Sequence, residues 1–409
     1  MAEAIRDGNA EAGSDRLLKQ ARQSTVLLLC GGRATRMRPL SSPDEPKSMV
    51  PFLGRPLIDY LLDSFVENGL HDVVLTSAHS SFVNHLSQTE RDTLRVRYEE
   101  PQGQWRGSAN CVRDLVRALG DSISDPYIVV YGDSLLRADL AGMVAFHLER
   151  EADITILYHR PDFAAFLYQP TEGPMPEEPR TNYGVMDCGN DALVTLFIEK
   201  PTLREIPQRF HDPLANAAAY VIGREVLSQL CEPDIGDFGY DLFPKLVNRG
   251  MCVQAFSIGT GYREDVGTLD RYFHLHMLAL EGGIEIPHLG STDGRRVWIA
   301  TDASISPNAT LVAPAVIGCR SSVAPGARLE RCYLGDDVRI GNGATVLSSV
   351  IHSHVAVGAG AQVRSSVLAS HATVGNGITV PAGTVVGPYA VFGDPRLSNP
   401  GGENGQART

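Results

Sequence analysis

The chain has 409 residues and a formal net charge of −12 at pH 7, and 43% of its residues are hydrophobic. That length predicts two domains, because a single core rarely grows so large. The acidic balance argues against nucleic-acid binding, and no apolar run approaches the ~18 residues of a membrane span, so we expect neither partner. The seven cysteines are scattered without C-x-x-C spacing, which predicts no disulfide framework, no zinc site and a cytoplasmic protein.

The first 23 residues are polar and charged and contain no signal-peptide core, so we predict a flexible N-terminal arm over 1–23. Over 24–285, strand-like apolar runs alternate with helical patterns. This alternation predicts an α/β domain with a Rossmann-like, mostly parallel sheet. The strand candidates include Val26–Leu29, Val73–Thr76, Ile128–Tyr131, Ile154–Leu157, Ala217–Ile222 and Cys252–Phe256, and the helical candidates include Leu57–Asn68, Ser108–Leu119 and Leu140–Arg150.

A repeat of six residues follows a predicted linker at 286–296. Its phase slips by one residue at intervals of 17, and six is three times the strand period but does not match the helical one. A triangular coil with three sides, one of them a residue short, explains both spacings. We therefore predict a parallel β-helix of about five coils over 297–394 and a frayed polar tail over 395–409. The first aliphatic positions of the repeat are Ile305, Leu311, Ile317, Val323 and Leu329.

The stretch after the first strand candidate is the most informative part of the chain. Gly31 and Gly32 let the backbone turn sharply and approach a ligand closely. A strand followed by a glycine turn and then by cations is a common way to hold phosphates. The spacing fits neither G-x-G-x-x-G nor the G-K-[ST] ending of the two commonest phosphate loops. The cations that follow are Arg36, Arg38 and Lys47.

This stretch resembles the signature of the sugar-1-phosphate nucleotidyltransferases, the NDP-sugar pyrophosphorylases, which runs roughly L-x-G-G-x-G-T-R-L-x-P-L-T and then P-K-x-x-V-P. The main departure is Ala34, where Gly is common. The resemblance covers about 25–275, and it extends to the repeats, which are similar to a hexapeptide-repeat left-handed β-helix, a pairing found in GDP-mannose and ADP-glucose pyrophosphorylases. The matching residues are Leu29, Gly31, Gly32, Thr35, Arg36, Met37, Pro39, Leu40, Pro46, Lys47, Val50 and Pro51.

The resemblance implies transfer of a nucleotidyl group from an NTP to a sugar 1-phosphate, with Mg²⁺ as cofactor. Asp133 closes an apolar strand, which is where open α/β sheets bind ligands. Asp265 lies in Y-R-E-D-V-G-T, similar to the family's Y-W-x-D-[IV]-G-T, with Arg263 in place of Trp. By resemblance, Asp133 and Asp265 are the two metal ligands and, with Arg36 and Lys47, the catalytic set.

Other motifs imply the binding residues. Gly107 lies in R-G-S-A, which resembles the L-G-T-A turn that grips the base. Gly184 belongs to Y-G-V, and E-K-P and N-A-A-A-Y resemble two further elements around the sugar phosphate. The implied nucleotide-binding residues are Leu29, Gly31, Gly32, Arg36, Lys47 and Gly107, and the implied sugar-phosphate-binding residues are Gly184, Glu199, Lys200 and Asn216.

Several alternatives remain open at the level of sequence. GTP is favoured as the nucleotide, with a mannose 1-phosphate-like or valienol 1-phosphate-like acceptor, and adenylyl or thymidylyl transfer is the alternative. A non-catalytic regulatory subunit with the same fold is a second reading. A third is acyl transfer by the repeat domain, for which His352, His354 and His371 are available, although solvated histidines are the better expectation. We also expect a homo-oligomer, formed through the β-helix or the catalytic domain.

Overall fold

The structure is a computed structural model that describes residues 13–31, 35–41, 46–77, 81–88, 93–99, 107–160, 177–285 and 296–393. The chain divides into two compact units, each made of two stretches of sequence. The first unit is Met1–Gly32 with Ile58–Glu264, and the second is Arg33–Leu57 with Asp265–Thr409. The predicted linker, apart from Arg296, and the predicted tail at 395–409 lie outside the described residues.

The bounds of the elements before the repeats are as follows. The strands are β1 (Thr25–Leu29), β2 (Pro51–Phe52), β3 (Arg55–Pro56), β4 (Asp72–Thr76), β5 (Arg95–Glu99), β6 (Tyr127–Tyr131), β7 (Ser134–Arg137), β8 (Ile154–His159), β9 (Gly184–Cys188), β10 (Val194–Glu199), β11 (Leu214–Ile222), β12 (Val253–Ser257) and β13 (Tyr262–Asp265). The helices are α1 (13–21), α2 (Leu57–Glu67), α3 (Ser81–Gln88), α4 (Ser108–Leu119), α5 (Leu140–Glu149), α6 (Ile206–Arg209), α7 (Leu227–Leu230), α8 (Phe243–Asn248) and α9 (Leu269–Leu280).

The first unit is built on one twisted mixed sheet. Its main path runs β10-β9-β11-β6-β1-β4-β5, and β8 pairs with β11 and β12. The pairs β6-β1, β1-β4, β4-β5 and β8-β12 are parallel, which confirms the predicted α/β architecture. Strand β11 is antiparallel to β6, β8 and β9, and thus joins the parallel part to the β9-β10 hairpin.

The core of the first unit lies between this sheet and its helices. All five residues of β1 are buried, as expected for a central strand covered on both faces. Side chains of α4, α7 and α8 pack against the sheet together with the Phe238 ring of the turn at Phe238–Leu242. Tyr220 lies in the middle of this group, with ring centroids 5.2 Å from Phe238 and 4.8 Å from Phe243.

The second unit contains the repeats, which form stacked parallel strands. Its strands are β14 (Val297–Ile299), β15 (Ser304–Ile305), β16 (Thr310–Ile317), β17 (Ser322–Val323), β18 (Arg328–Leu334), β19 (Arg339–Ile340), β20 (Thr345–Leu347), β21 (Val350–Ile351), β22 (Ala356–Val357), β23 (Gln362–Arg364), β24 (Val367–Leu368), β25 (Thr373–Val374), β26 (Thr379–Val380), β27 (Val385–Val386) and β28 (Val391–Phe392).

One face of this domain stacks β15-β17-β19-β22-β25-β28 in order. Successive partners such as Ser322, Arg339, Ala356 and Thr373 are 17 residues apart in sequence, as the phase slips predicted. The aliphatic repeat positions point inward and form the core of the stack. The predicted parallel β-helix is therefore confirmed.

The second unit also contains the signature segment, by which we mean residues 35–41 and 46–57. The hairpin β2-β3 lies within it, and helix α9 packs against β16 and β18 of the β-helix. From the sequence we predicted a domain boundary near 285. The division into two compact units instead assigns the signature segment and α9 to the unit that contains the repeats. Among the described residues, no helix has both the length and the hydropathy needed to cross a membrane.

Candidate functional site

The carboxyl ends of β1 and β6 place Leu29 and Asp133 side by side in the first unit. The backbone N–H of Gly132 donates to the Leu29 carbonyl at 2.9 Å, and Asp133 is the next residue after Gly132. Gly31, two residues beyond the strand, is half-buried. This edge is where an open α/β sheet binds its ligands. Gly32 and Ala34 lie outside the described residues.

Gly107 begins α4 at a point where the backbone of Gly236 comes very close. It has φ +124°, and a Cβ at this position would overlap the Gly236 carbonyl. The next residue, Ser108, donates from its hydroxyl to the Asp237 carboxylate at 2.8 Å. Asp237 in turn accepts from the backbone N–H of Gly239 at 2.9 Å. The glycine that the sequence assigned to the nucleotide thus also ties α4 to the turn at 238–242.

Glu199 is a half-buried carboxylate between two glycines. A Cβ added at Gly184 or at Gly239 would overlap its side chain, so both positions need glycine for this approach. Desolvation raises the pKa of Glu199 to about 7, although the Lys200 ammonium, whose Nζ lies 4.0 Å from Oε1, opposes that shift. The nearby Asp237 carboxylate adds to the rise. This carboxylate is therefore balanced between its neutral and charged forms near neutral pH.

Lys200 is held at the end of β10 in an unusual backbone conformation. Its φ is +46°, and its backbone N–H donates to the Tyr183 carbonyl at 3.1 Å. The ammonium lies 5.6 Å from the centre of the Tyr240 ring, and its side chain is 30% exposed. A cation that is partly open to solvent and backed by an aromatic face is well placed to meet a phosphate.

Asn216 lies on β11 at an irregularity of the strand. Its side-chain amide donates to the Tyr220 hydroxyl at 2.9 Å and accepts from the backbone N–H of Ala218 at 2.9 Å. Ala218 has φ +56°, and the pairing of β11 with β8 shifts between Asn216 and Tyr220. Ala218 is therefore held in a left-handed conformation, which strains any residue that has a Cβ. We call Gly184, Glu199, Lys200 and Asn216 the acceptor cluster.

Within the second unit, the structure joins two of the predicted catalytic residues. Lys47 Nζ lies 3.0 Å from Asp265 Oδ1, and the side chains are 12% and 30% exposed. Lys47 begins a short 3₁₀ helix after Pro46, and Asp265 ends β13 just before the amino terminus of α9. Arg36, in another 3₁₀ turn of the signature segment, is exposed. A cation and an acid from residues 218 apart in sequence thus form one ion pair.

Sequence reasoning missed three features of these sites. The Ser108–Asp237 bond and the Tyr240 ring over Lys200 depend on tertiary packing, so no local motif indicates them. The buried position of His352 also contradicts the expectation of solvated histidines on the coils, because the side chain hydrogen-bonds to Tyr272 of α9 at 2.7 Å. His354 is exposed as expected.

Carboxylate oxygens are the ligands that Mg²⁺ prefers, and Asp133 and Asp265 are the two carboxylates that the sequence resemblance implies for this role. In the described part of the chain no three His, Cys, Asp or Glu side chains cluster as a protein-only cage, and Mg²⁺ commonly binds through one or two carboxylates with substrate phosphates.

Comparison with known proteins identifies the family. The nucleotidyl transferase family model matches residues 25–282, and the GMPPB C-terminal domain model matches 294–393. A mannose-1-phosphate guanylyltransferase from Mycobacterium tuberculosis is 28% identical over 330 residues, which cover 79% of this chain and 83% of the relative.

Relatives named for other nucleotides are similar to the chain as well. A glucose-1-phosphate adenylyltransferase from Kocuria rhizophila is 32% identical over 290 residues, covering 63% of this chain and 66% of the relative. A UTP–glucose-1-phosphate uridylyltransferase from a Synechocystis species is 24% identical over 356 residues, covering 80% of this chain and 86% of the relative. Because the first family model spans more than half of the 409 residues, the chain belongs to the sugar-1-phosphate nucleotidyltransferase family.

Proposed function

We propose that the chain is a Mg²⁺-dependent guanylyltransferase that converts GTP and a sugar or cyclitol 1-phosphate to the GDP derivative and pyrophosphate. The observation that carries this proposal is the distribution of charge. Lys200 stands partly exposed beside the half-buried Glu199, and Lys47 is paired with Asp265. An acidic protein that concentrates cations at these motifs is suited to align two polyanions.

The proposed reaction is a direct displacement at phosphorus. An oxygen of the acceptor phosphate forms a bond to the α-phosphorus of the NTP, the bond from that phosphorus to the bridging oxygen breaks, and pyrophosphate leaves with the electron pair. The step needs alignment and charge neutralisation rather than a protein nucleophile. When bound, Mg²⁺ would neutralise charge on the phosphate oxygens, with Asp133 and Asp265 as its proposed protein ligands.

Each remaining residue has a proposed role in binding. Arg36 and Lys47 would meet the nucleotide phosphates, because cations in this segment follow the glycine turn. Leu29, Gly31, Gly32 and Gly107 would line the nucleotide through their backbones. In the acceptor cluster, Lys200 would bind the acceptor phosphate, Glu199 would accept hydrogen bonds from acceptor hydroxyls, and the Gly184 backbone with Asn216 would complete the wall.

The base and the acceptor are the least constrained parts of the proposal. The guanylyltransferase relative favours GTP, whereas the adenylyl and uridylyl relatives keep ATP and UTP as alternatives. The acceptor is proposed to be mannose 1-phosphate-like or valienol 1-phosphate-like. We propose a cytoplasmic location, in keeping with seven cysteines that all lie in the described residues without a disulfide between them, and assembly as a homo-oligomer stays a prediction.

The test is pyrophosphate release from ATP, CTP, GTP, TTP and UTP, each with Mg²⁺ and a panel of hexose and cyclitol 1-phosphates. We expect release with GTP to exceed release with the other nucleotides and to require an acceptor. Preference for another base would replace the guanylyl assignment. No release with any pair would favour the non-catalytic subunit that shares this fold.

A further inference from the structure

A buried polar network around α9 forms hydrogen bonds with the backbone of the signature segment. Tyr272 and His276 lie one turn apart on this helix, and both are fully buried. The Tyr272 hydroxyl donates to the Pro51 carbonyl, and the backbone N–H of Leu53 donates to His276 Nε2 at 3.2 Å. Two side chains of α9 therefore hold the chain only a few residues after Lys47.

The positions of the hydrogens in this network follow from the chemistry of its groups. A carbonyl only accepts, so the Tyr272 hydroxyl hydrogen points to Pro51, and the Tyr272 oxygen must accept from His352 Nε2 at 2.7 Å. His276 Nδ1 donates to the Tyr272 carbonyl at 2.9 Å, which leaves Nε2 to accept from Leu53. The pattern requires a neutral His276 ring, which both donates and accepts, and burial lowers its pKa to about 3. Burial also lowers the pKa of His352 to about 4.

His352 is exceptional within its column of the β-helix. Ile317, Leu334, Ile351, Leu368 and Val386 occupy equivalent positions in successive coils. The residues that follow them form one column down the stack. In every coil but one the residue in this column is small, and the column reads Gly318, Gly335, His352, Ala369 and Gly387.

One member of this column lies against the signature segment. A Cβ added at Gly387 would lie 3.2 Å from the Pro39 side chain, so the glycine at this position allows the segment to approach the coils. Nearby, the turn of the β2-β3 hairpin has φ +43° at Leu53 and +86° at Gly54, and a Cβ on Gly54 would lie 2.6 Å from the Tyr333 hydroxyl. His352 is the one side chain of the column that reaches out to α9.

Both members of the Lys47–Asp265 pair are connected to the same helix. Asp265 lies three residues before Thr268, whose hydroxyl caps α9 by accepting from the backbone N–H of Arg271 at 3.2 Å. Lys47 lies four residues before the carbonyl that Tyr272 holds. A change in the position or rotamer of Tyr272 would therefore be transmitted to the ion pair.

We propose that His352 is a positioning residue for nucleotidyl transfer: by donating to Tyr272, the β-helix fixes the signature segment and so places Lys47 beside Asp265. This inference rests on the proposed function of Lys47, and it gives the repeat domain a role in the reaction that requires no substrate contact. The role is specific because two consecutive hydrogen bonds, from His352 to Tyr272 and from Tyr272 to Pro51, connect the coils to the segment that carries Lys47.

The test compares His352→Leu, which removes the donor but keeps a similar volume, with His352→Gln, whose amide can donate from nearly the same place. His354→Asn is the matched control, since His354 is exposed, lies two residues away and has φ +64°, a conformation that asparagine tolerates. Hydrogen exchange is followed in peptides covering 46–57, 269–280 and, as an internal reference, 127–131 of the first unit.

We expect His352→Leu to speed exchange over 46–57 without changing it over 127–131, and to lower kcat by roughly tenfold to a hundredfold, as a displacement of about 1 Å can do. His352→Gln should recover most of both losses, and His354→Asn should match the wild type. Unchanged exchange over 46–57 in His352→Leu, or a kcat equal to that of the wild type, would overturn the proposal.

A second variant keeps the test informative if His352→Leu folds poorly. Tyr272→Phe removes the same bond from the other side, and the double variant Tyr272→Phe with His352→Leu should lose little more kcat than either single variant. If the two losses in kcat multiply in the double variant, Tyr272 and His352 act independently, which would contradict the proposal. A wild type without pyrophosphate release would refute the proposed function itself, whereas the exchange result would still decide whether His352 fixes the segment.

Discussion

The acceptor cluster of the first unit and the signature segment of the second hold their charges in different ways. In the acceptor cluster, desolvation of the half-buried Glu199 raises the pKa of its carboxyl to about 7, and Lys200 Nζ lies 4.0 Å from Oε1. In the signature segment, Lys47 and Asp265 form an ion pair at 3.0 Å. In the acceptor cluster, desolvation thus disfavours the charged form of the carboxylate. In the signature segment, the ion pair neutralises both charges without a substrate.

This difference indicates different responses to substrate. Ligand groups that donate to Glu199 or accept from Lys200 would relieve an unfavourable environment, so the acceptor cluster should contribute mainly to binding. In the proposed reaction the Lys47–Asp265 pair would instead share its charges with phosphates, so its geometry should matter more for turnover. Variants of each region, taken from the largest expected effect to the smallest, test whether the acceptor cluster acts on binding and the ion pair on turnover.

Replacing Asp133 by Asn should have the largest effect. The substitution keeps the shape of the side chain but removes the charge proposed to hold Mg²⁺, and we expect kcat to fall by about 10³-fold with an unchanged melting temperature. Pyrophosphate release and thermal unfolding would be measured together. Asp121→Asn, at an exposed position of the same unit, is the control. Near-normal turnover by Asp133→Asn would refute the metal assignment.

Lys200→Ala should act on binding in the acceptor cluster. Because the ammonium is proposed to meet the acceptor phosphate, we expect KM for the acceptor to rise by about 10- to 100-fold with a smaller change in kcat. Lys245→Ala removes a lysine of the same unit that is paired with Asp234 and Glu232 on the surface, and it should leave KM unchanged. An equal fall in kcat with constant KM would contradict the contrast between the two regions.

Glu199→Gln should change the pH dependence of acceptor binding. The wild-type carboxylate ionises near pH 7, so its charged fraction rises about tenfold between pH 6 and pH 8, and KM for the acceptor should fall by up to about tenfold over that range. The neutral amide cannot ionise, and the profile of the variant should be flatter. Steady-state kinetics at several pH values measure both slopes, and identical profiles would remove Glu199 from the acceptor site.

Acid stability should show the smallest effect. The folded pKa values of His276 and His352, about 3 and 4, lie below the unfolded value near 6.5, so between these values the unfolded state binds more protons. Stability is therefore full above pH 6.5 and falls as the pH decreases, by about 1 kcal/mol per histidine at pH 5.5. Urea unfolding at pH 7.5 and 5.5 measures the loss, and His352→Leu should show a smaller pH dependence than the wild type.

Periodic features were the ones that sequence could predict. The six-residue repeat with slips of 17 anticipated the registers Arg339↔Ala356 and Ala356↔Thr373, because each coil repeats the same local geometry. Helix α4 begins and ends where its pattern indicated, at Ser108–Leu119. By contrast, the strand Arg95–Glu99 was not predicted, since its residues are mostly half-buried and charged rather than apolar.

Local sequence motifs can suggest candidate site residues, but they do not give the arrangement of those residues. Motifs selected Glu199 and Lys200, yet the raised pKa of Glu199 depends on burial beside Gly239, 40 residues farther along the chain. The connection of Pro51 to Tyr272 and His352 joins three distant parts of the sequence, and no local pattern encodes it. Such contacts arise from tertiary packing, which local propensity and residue spacing do not determine.

The most direct test of the account is to count products while each substrate is omitted in turn. With GTP, Mg²⁺ and a competent acceptor, the wild type should form the nucleoside diphosphate sugar and pyrophosphate in a one-to-one ratio, and neither product should form without the acceptor. Release of pyrophosphate from the nucleotide alone, or a diphosphate sugar formed without it, would contradict direct displacement by the acceptor phosphate.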